Sequence, residues 1–206
     1  MAAFLGISIW IALATVVPGL VTITALYGAQ AATGTTGLEA HFSMEGEWLP
    51  AGVAITIMIL TQALGILLER ALIKHKLLGP VERPLVIPPG IDPAGGGEYT
   101  LNAYEEYQTL YLLLAELCED DDAHGHLQRA LAQFFLTNNT LVSFAVGIAY
   151  TLLELWLVPT ATLLSGLIYV GALIACMVVS YQVALIRFDV MLKALWAARR
   201  CRLAKA

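Results

Sequence analysis

A chain of 206 residues that is 59% hydrophobic and 13% charged, with a mean hydropathy of +0.75, is not an ordinary soluble domain; such domains carry about 25% charged residues. The bilayer then sets the element lengths, at about 20 apolar residues per helical span. The net charge of −5 says little by itself, because acidic and basic residues are separated along the chain, and the one basic patch, in the tail, reads as a lipid-facing anchor rather than a nucleic-acid surface. The three cysteines, Cys118, Cys176 and Cys201, form no CxxC pair, which excludes a disulfide framework and a zinc site.

The first apolar run, Phe4 to Ala29, has no charged residue. It ends at an A-x-A sequence, Ala29-Gln30-Ala31. No Lys or Arg precedes it, however, and it exceeds the h-region of a signal peptide, so a retained span is expected. Pro18-Gly19 lies at its middle and bends the helix. Ser8, Ala12, Thr15, Gly19 and Thr22 form a seam of small residues suited to close helix packing. Residues 30–48 read as a loop carrying Glu39, Glu45 and Glu47, with Trp48 as an interfacial aromatic. His41 near Glu45 is too little for a metal site.

Leu49 to Ile73 is the second span, with Gln62, Gly65 and Glu69 on one face. Glu69 and Arg70 read as a boundary pair that snorkels to the interface. Prolines and glycines between Lys74 and Gly97 exclude a long helix and suggest a partly extended linker. Asn102 and Glu105 have the spacing of a capping box and open an amphipathic helix. Its face of Tyr104, Tyr107, Tyr111 and Leu114 is expected to pack on protein, because a membrane-surface helix is usually basic. Glu119 to Asp122, followed by His124 and His126, reads as a solvated acidic corner.

Leu127 starts a third long helix that runs to Val158, and Pro159 separates it from a fourth span, about Thr160 to Ile186. That helix is expected to continue into a basic tail, with Asp189 and Lys193 as an i,i+4 pair and Leu195 and Trp196 at headgroup level. All eleven Lys and Arg residues fall in two places, Arg70 to Arg129 and Arg187 to Lys205. The positive-inside rule then puts both termini and the middle segment in the cytoplasm, in a cell membrane (inner or plasma membrane).

The expected architecture is an all-α integral membrane protein. Four transmembrane helices carry a small cytoplasmic amphipathic helix and a helical C-terminal extension. Residues 1–73 form the first hairpin (spans about 4–29 and 49–73), and 74–128 the linker and amphipathic helix. Residues 129–206 form the second hairpin (spans about 130–158 and 160–186) with its basic tail.

The residues that invite a function lie along the third span. Asn139, Ser143, Gly147, Tyr150 and Glu154 recur at three- and four-residue steps and share one helix face. An amide and a carboxylate within a span require a partner or water. A line of this kind serves either as a packing seam or as a hydrated path, with Glu39, Glu45 and Glu47 as acids at its outer mouth. The expected function is conduction or gating of a small cation by a homo-oligomer, in which Asn139, Ser143, Tyr150, Glu154 and Gln62 line the path and a useful pore forms between copies. The alternative is a non-transporting subunit or scaffold that recruits a protein partner through residues 98–126. A membrane-embedded enzyme is the weaker alternative. The chain has no GxxxxGK[ST], GxSxG, HExxH or CxxCH motif, so no catalytic residue, metal or cofactor is expected, and the bilayer is the one partner the composition demands.

Overall fold

The structure, a computed structural model, describes residues 2–35, 48–87, 97–116 and 122–205. The described elements, in chain order, are α1 (Ala2–Thr33), α2 (Trp48–Lys74), β1 (Glu82–Ile87), β2 (Gly97–Asn102), α3 (Ala103–Glu116), α4 (Asp122–Leu157) and α5 (Leu163–Lys205). Four of these helices are long and apolar enough to cross a membrane, over Leu13–Thr33, Ala51–Lys74, Gly125–Leu157 and Leu163–Ala198. At 1.5 Å per residue a helix of 43 residues such as α5 is about 65 Å long, twice the roughly 30 Å of a hydrocarbon core. The helix therefore continues beyond any span, as its basic tail suggests.

These helices show large apolar side chains on their outsides. Trp156 is 80% exposed and Leu164 75%, and only 11% of the Ala51–Lys74 window is buried. A water-soluble surface rarely carries contiguous apolar area of this kind, and hydrocarbon solvates it readily.

Several boundaries differ from the sequence reading. α1 continues through Thr33, four residues past the expected end, and α4 begins at Asp122 rather than Leu127. The linker contains an antiparallel strand pair, with Glu82 opposite Asn102 and Ile87 opposite Gly97. Beyond it the Asn102 carboxamide accepts the amides of Tyr104 and Glu105, at 3.3 and 3.4 Å, and so caps α3.

The chain divides into two compact units. The first comprises Met1–Glu69 and Phe135–Ala184. Here α1 meets the other three long helices. Thr15 reaches Gln62, and Gly19 faces Met58, so α1 and α2 run antiparallel. Asn139 reaches Ala14, and Thr33 reaches Glu154, so α1 and α4 run parallel. Tyr169 reaches Ala25, and Thr162 reaches Ala32, so α1 and α5 run antiparallel. The four helices thus alternate in direction along the chain, as in an up-and-down bundle, and five residues separate α4 from α5. The end of α1 is closed by Gly34 in the left-handed region (φ 73°), where a Cβ would be strained. Its last carbonyls gain donors from the turn between α4 and α5. The Thr162 amide donates to Thr33 (2.9 Å) and its hydroxyl to Ala32 (3.0 Å), with Ser165 also donating to Ala32.

The second unit comprises Arg70–Phe134 and Leu185–Ala206. Its centre is aromatic: Phe188 lies 5.5 Å from Phe134, 5.9 Å from Tyr104 and 6.1 Å from Tyr107 between ring centroids. The Tyr104 hydroxyl accepts the Leu78 amide (3.1 Å) and donates to the Gly79 carbonyl (3.0 Å), which ties the end of α2 to α3. Arg187 donates to Gln133 at 2.8 Å, and Asp189 and Lys193 form the expected pair at 2.7 Å. On the apolar face of α3, Tyr104 and Tyr107 pack on this chain's own Phe188 and Phe134. Leu195 is fully buried in the unit, on a face it shares with Met191 and Leu192.

Replacing Phe188 by alanine should destabilise this unit by about 3–5 kcal/mol. Protease should cut in the segment around α3 sooner in that variant than in the parent. Equal rates would show that the aromatic contacts carry little of the stability.

Candidate functional site: a polar seam along the first helix

The polar line on α4 faces α1, and its chemistry begins with Pro18. In an α-helix the amide of residue 18 would donate to the carbonyl of residue 14. Proline has no N–H, so the Ala14 carbonyl loses its partner inside the helix. α1 nevertheless runs unbroken from Ala2 to Thr33. The missing donor comes from α4, where Asn139 Nδ2 donates to the Ala14 carbonyl at 2.7 Å. One turn on, Ser143 Oγ donates to the Pro18 carbonyl at 2.8 Å and lies 3.0 Å from the Asn139 carbonyl. The Pro18 carbonyl also accepts Thr22 Oγ1 at 3.0 Å. Asn139 and Ser143 are buried at 5% and 0% exposure.

Close approach requires small residues around this seam. A Cβ on Gly65 of α2 would lie 2.8 Å from Asn139 Cγ and collide with its Oδ1. A Cβ on Gly147 would lie 2.8 Å from Ala25 Cβ. Gly28 similarly admits the Tyr169 ring, whose hydroxyl donates to the Ala25 carbonyl at 3.0 Å. Gln62, expected on the same path, pairs with α1: its Oε1 accepts Thr15 Oγ1 at 3.0 Å. Thr22 and Thr61 meet at 3.0 Å between the same two helices. The small-residue seam read on the first span thus faces α2 through Thr15, Gly19 and Thr22.

At the far end of the line, Glu154 Oε2 accepts Thr33 Oγ1 at 2.6 Å and Thr35 Oγ1 at 2.8 Å. Tyr150 Oη accepts Gln30 Nε2 at 3.2 Å, and both side chains lie within hydrogen-bonding reach of the Glu154 carboxylate. The structure therefore brings Asn139, Ser143, Tyr150 and Glu154 together along one helix, α1. The acids expected at the outer mouth, Glu39, Glu45 and Glu47, lie outside the described residues.

Thr33, Thr35 and Gln30 were not singled out in the sequence, because residues 30–48 read as a loop. The available signal was their place within two turns of the end of the first apolar run at Ala29. Asn138 lies off the three- and four-residue steps of the polar line, yet it is 1% exposed and neither side-chain polar atom has a hydrogen-bond partner. Glu69, read as a snorkelling residue, is buried at 7% exposure; it occupies the inner face that it shares with Gln62 and Gly65. Among the described residues no group of three or more His, Cys, Asp or Glu stands together as a metal centre.

Two outcomes test the seam. Asn139→Ala should destabilise the protein by about 1 kcal/mol, and less so in a Pro18→Ala background, where the Ala14 carbonyl regains an intrahelical donor. A double-mutant cycle on unfolding in mild detergent reads this coupling, and strict additivity would refute it. Gly65→Ala should also destabilise, whereas Gly171→Ala, whose Cβ meets nothing within 4 Å, should not. Compared with protein-family models, curated proteins and solved structures, the chain matches none.

Proposed function

We propose that this chain is a four-span protein of the cell membrane (inner or plasma membrane) with both termini in the cytoplasm, serving as a non-transporting subunit that anchors a protein partner. The observation that carries the reading is the seam. Asn139 and Ser143, two of the five residues placed to line a path, are buried and donate to backbone carbonyls of the neighbouring helix. Groups engaged in this way hold helices together. The positive-inside rule supports the orientation, because every Lys and Arg lies in residues 70–129 or 187–205. The partner would meet the segment 98–126, where Glu105 and Gln108 are exposed on α3. This reading assigns the chain no catalytic role.

Removing residues 98–126 is a poor test, since Tyr104 and Tyr107 belong to a packed aromatic cluster. Glu105→Lys combined with Gln108→Lys leaves that cluster intact. The full chain purified from native membranes should carry one partner at fixed stoichiometry, and the double variant should lose it. Purification of the parent chain alone would sink the reading.

A second reading, conduction of a small cation by a homo-oligomer, is favoured by one observation, the buried carboxylate of Glu154. Reconstituted vesicles separate the two. Cation flux no faster than in protein-free vesicles is expected for an anchor. Flux that falls in Glu154→Gln and in Asn139→Leu would establish the path instead.

A further inference from the structure

We infer that the cluster around Glu154 is a binding site for a small monovalent cation. The inference goes beyond the anchoring role and does not depend on conduction, because a resident ion can hold helices together without passing through them.

The unit that contains Glu154, residues 1–69 and 135–184, has no Lys and no Arg anywhere in its sequence. Glu154 is 8% exposed. A buried carboxylate normally has a cationic side chain beside it, since taking a lone charge out of water costs several kcal/mol or more. Here the groups placed to hydrogen-bond the carboxylate are all neutral: the hydroxyls of Thr33 and Thr35, and the side chains of Tyr150 and Gln30. These stabilise the anion without neutralising it.

The second observation is independent of the carboxylate. Gln30 is 3% exposed, and its Oε1 is buried with no hydrogen-bond partner. The Nε2 of the same amide donates to Tyr150 Oη at 3.2 Å, so the unmatched oxygen belongs to a group already held in the cluster. A buried carbonyl oxygen without a donor is a costly group, and a cation satisfies it directly.

The donor set specifies the ion. Glu154 Oε2, Thr33 Oγ1, Thr35 Oγ1, Tyr150 Oη and Gln30 Oε1 are all oxygens, which suits a hard cation. Their formal charge is −1, so a monovalent ion leaves the site neutral, whereas a divalent ion leaves an uncompensated +1 in apolar surroundings. The ligands come from α1, the residues just past its Gly34 cap, and α4. Ion binding would therefore clamp the parallel α1–α4 pair at one end, as Asn139 and Ser143 clamp it at Pro18.

The test uses the full-length protein in detergent with sodium as the probe and choline chloride at equal ionic strength as the control. Equilibrium binding of radioactive sodium should saturate near one ion per chain. The unfolding temperature should rise with sodium and not with choline. Glu154→Gln should abolish both effects, and Gln30→Leu should weaken sodium binding about tenfold, the loss expected for about 1.4 kcal/mol. Gln30→Leu also keeps the test decisive if Glu154→Gln fails to fold. No saturable sodium binding by the parent protein would overturn the inference and leave a proton as the neutralising species. Binding that persists unchanged in Gln30→Leu would overturn the assigned ligands.

Discussion

The carbonyl of Ala14 is the constraint on which the rest of the first unit depends. Pro18 removes the one donor that an α-helix would offer it, and an apolar surrounding offers no water in exchange. A donor must therefore come from a neighbouring helix at that height. Asn139 supplies it at 2.7 Å and so sets the register of α4 against α1. Ser143 repeats the contact one turn further, at the carbonyl of Pro18 itself. With that register set, Gly147 meets Ala25 and Glu154 meets Thr33. A third helix adapts to the same point, since Asn139 fits only against the bare backbone of Gly65.

Charge segregation is the second organising fact. The unit built on α1 holds five glutamates, Glu39, Glu45, Glu47, Glu69 and Glu154, and no Lys or Arg. Its polar chemistry is consequently one of hydroxyls, amides and carbonyls. The other unit holds all eleven basic residues, among them Arg187, which donates to Gln133, and Lys193, which pairs with Asp189. Its cohesion comes from rings, with Phe188 in contact with Phe134, Tyr104 and Tyr107. A protein whose charges are sorted in this way along the chain suits a membrane, where a basic segment resists translocation and an acidic one does so much less.

The polar line on α4 illustrates how a pattern with two meanings is resolved. Asn, Ser, Gly, Tyr and Glu on one helix face are compatible with a pore and with a seam. The distinction lies in what the donors and acceptors face. Where Asn139 and Ser143 meet backbone carbonyls, their hydrogen-bonding capacity is consumed by structure. At Glu154 and Gln30 capacity remains, because a carboxylate and an orphaned carbonyl oxygen stand together. The two ends of one stripe thus differ in chemistry although they look alike in the sequence.

Composition and apolar run length by themselves determined the four long helices, because the length of an apolar run is a local property. The Asn102 cap and the Asp189–Lys193 pair were legible for the same reason, each depending on residues at most four apart. The periodicity of α4 also identified the residues of the seam. Its partners are contacts between residues more than a hundred positions apart, and only the tertiary structure decided them. Pro18 was visible as a kink, but nothing local showed that Asn139 would answer it. Thr33 and Thr35 passed for loop residues until α1 was seen to reach Thr33 and to turn back at Gly34. That neighbours cover Leu195 and Glu69 was likewise invisible in the sequence. Burial is a property of the assembled helices, whereas the pattern in the chain records only which face each helix can offer.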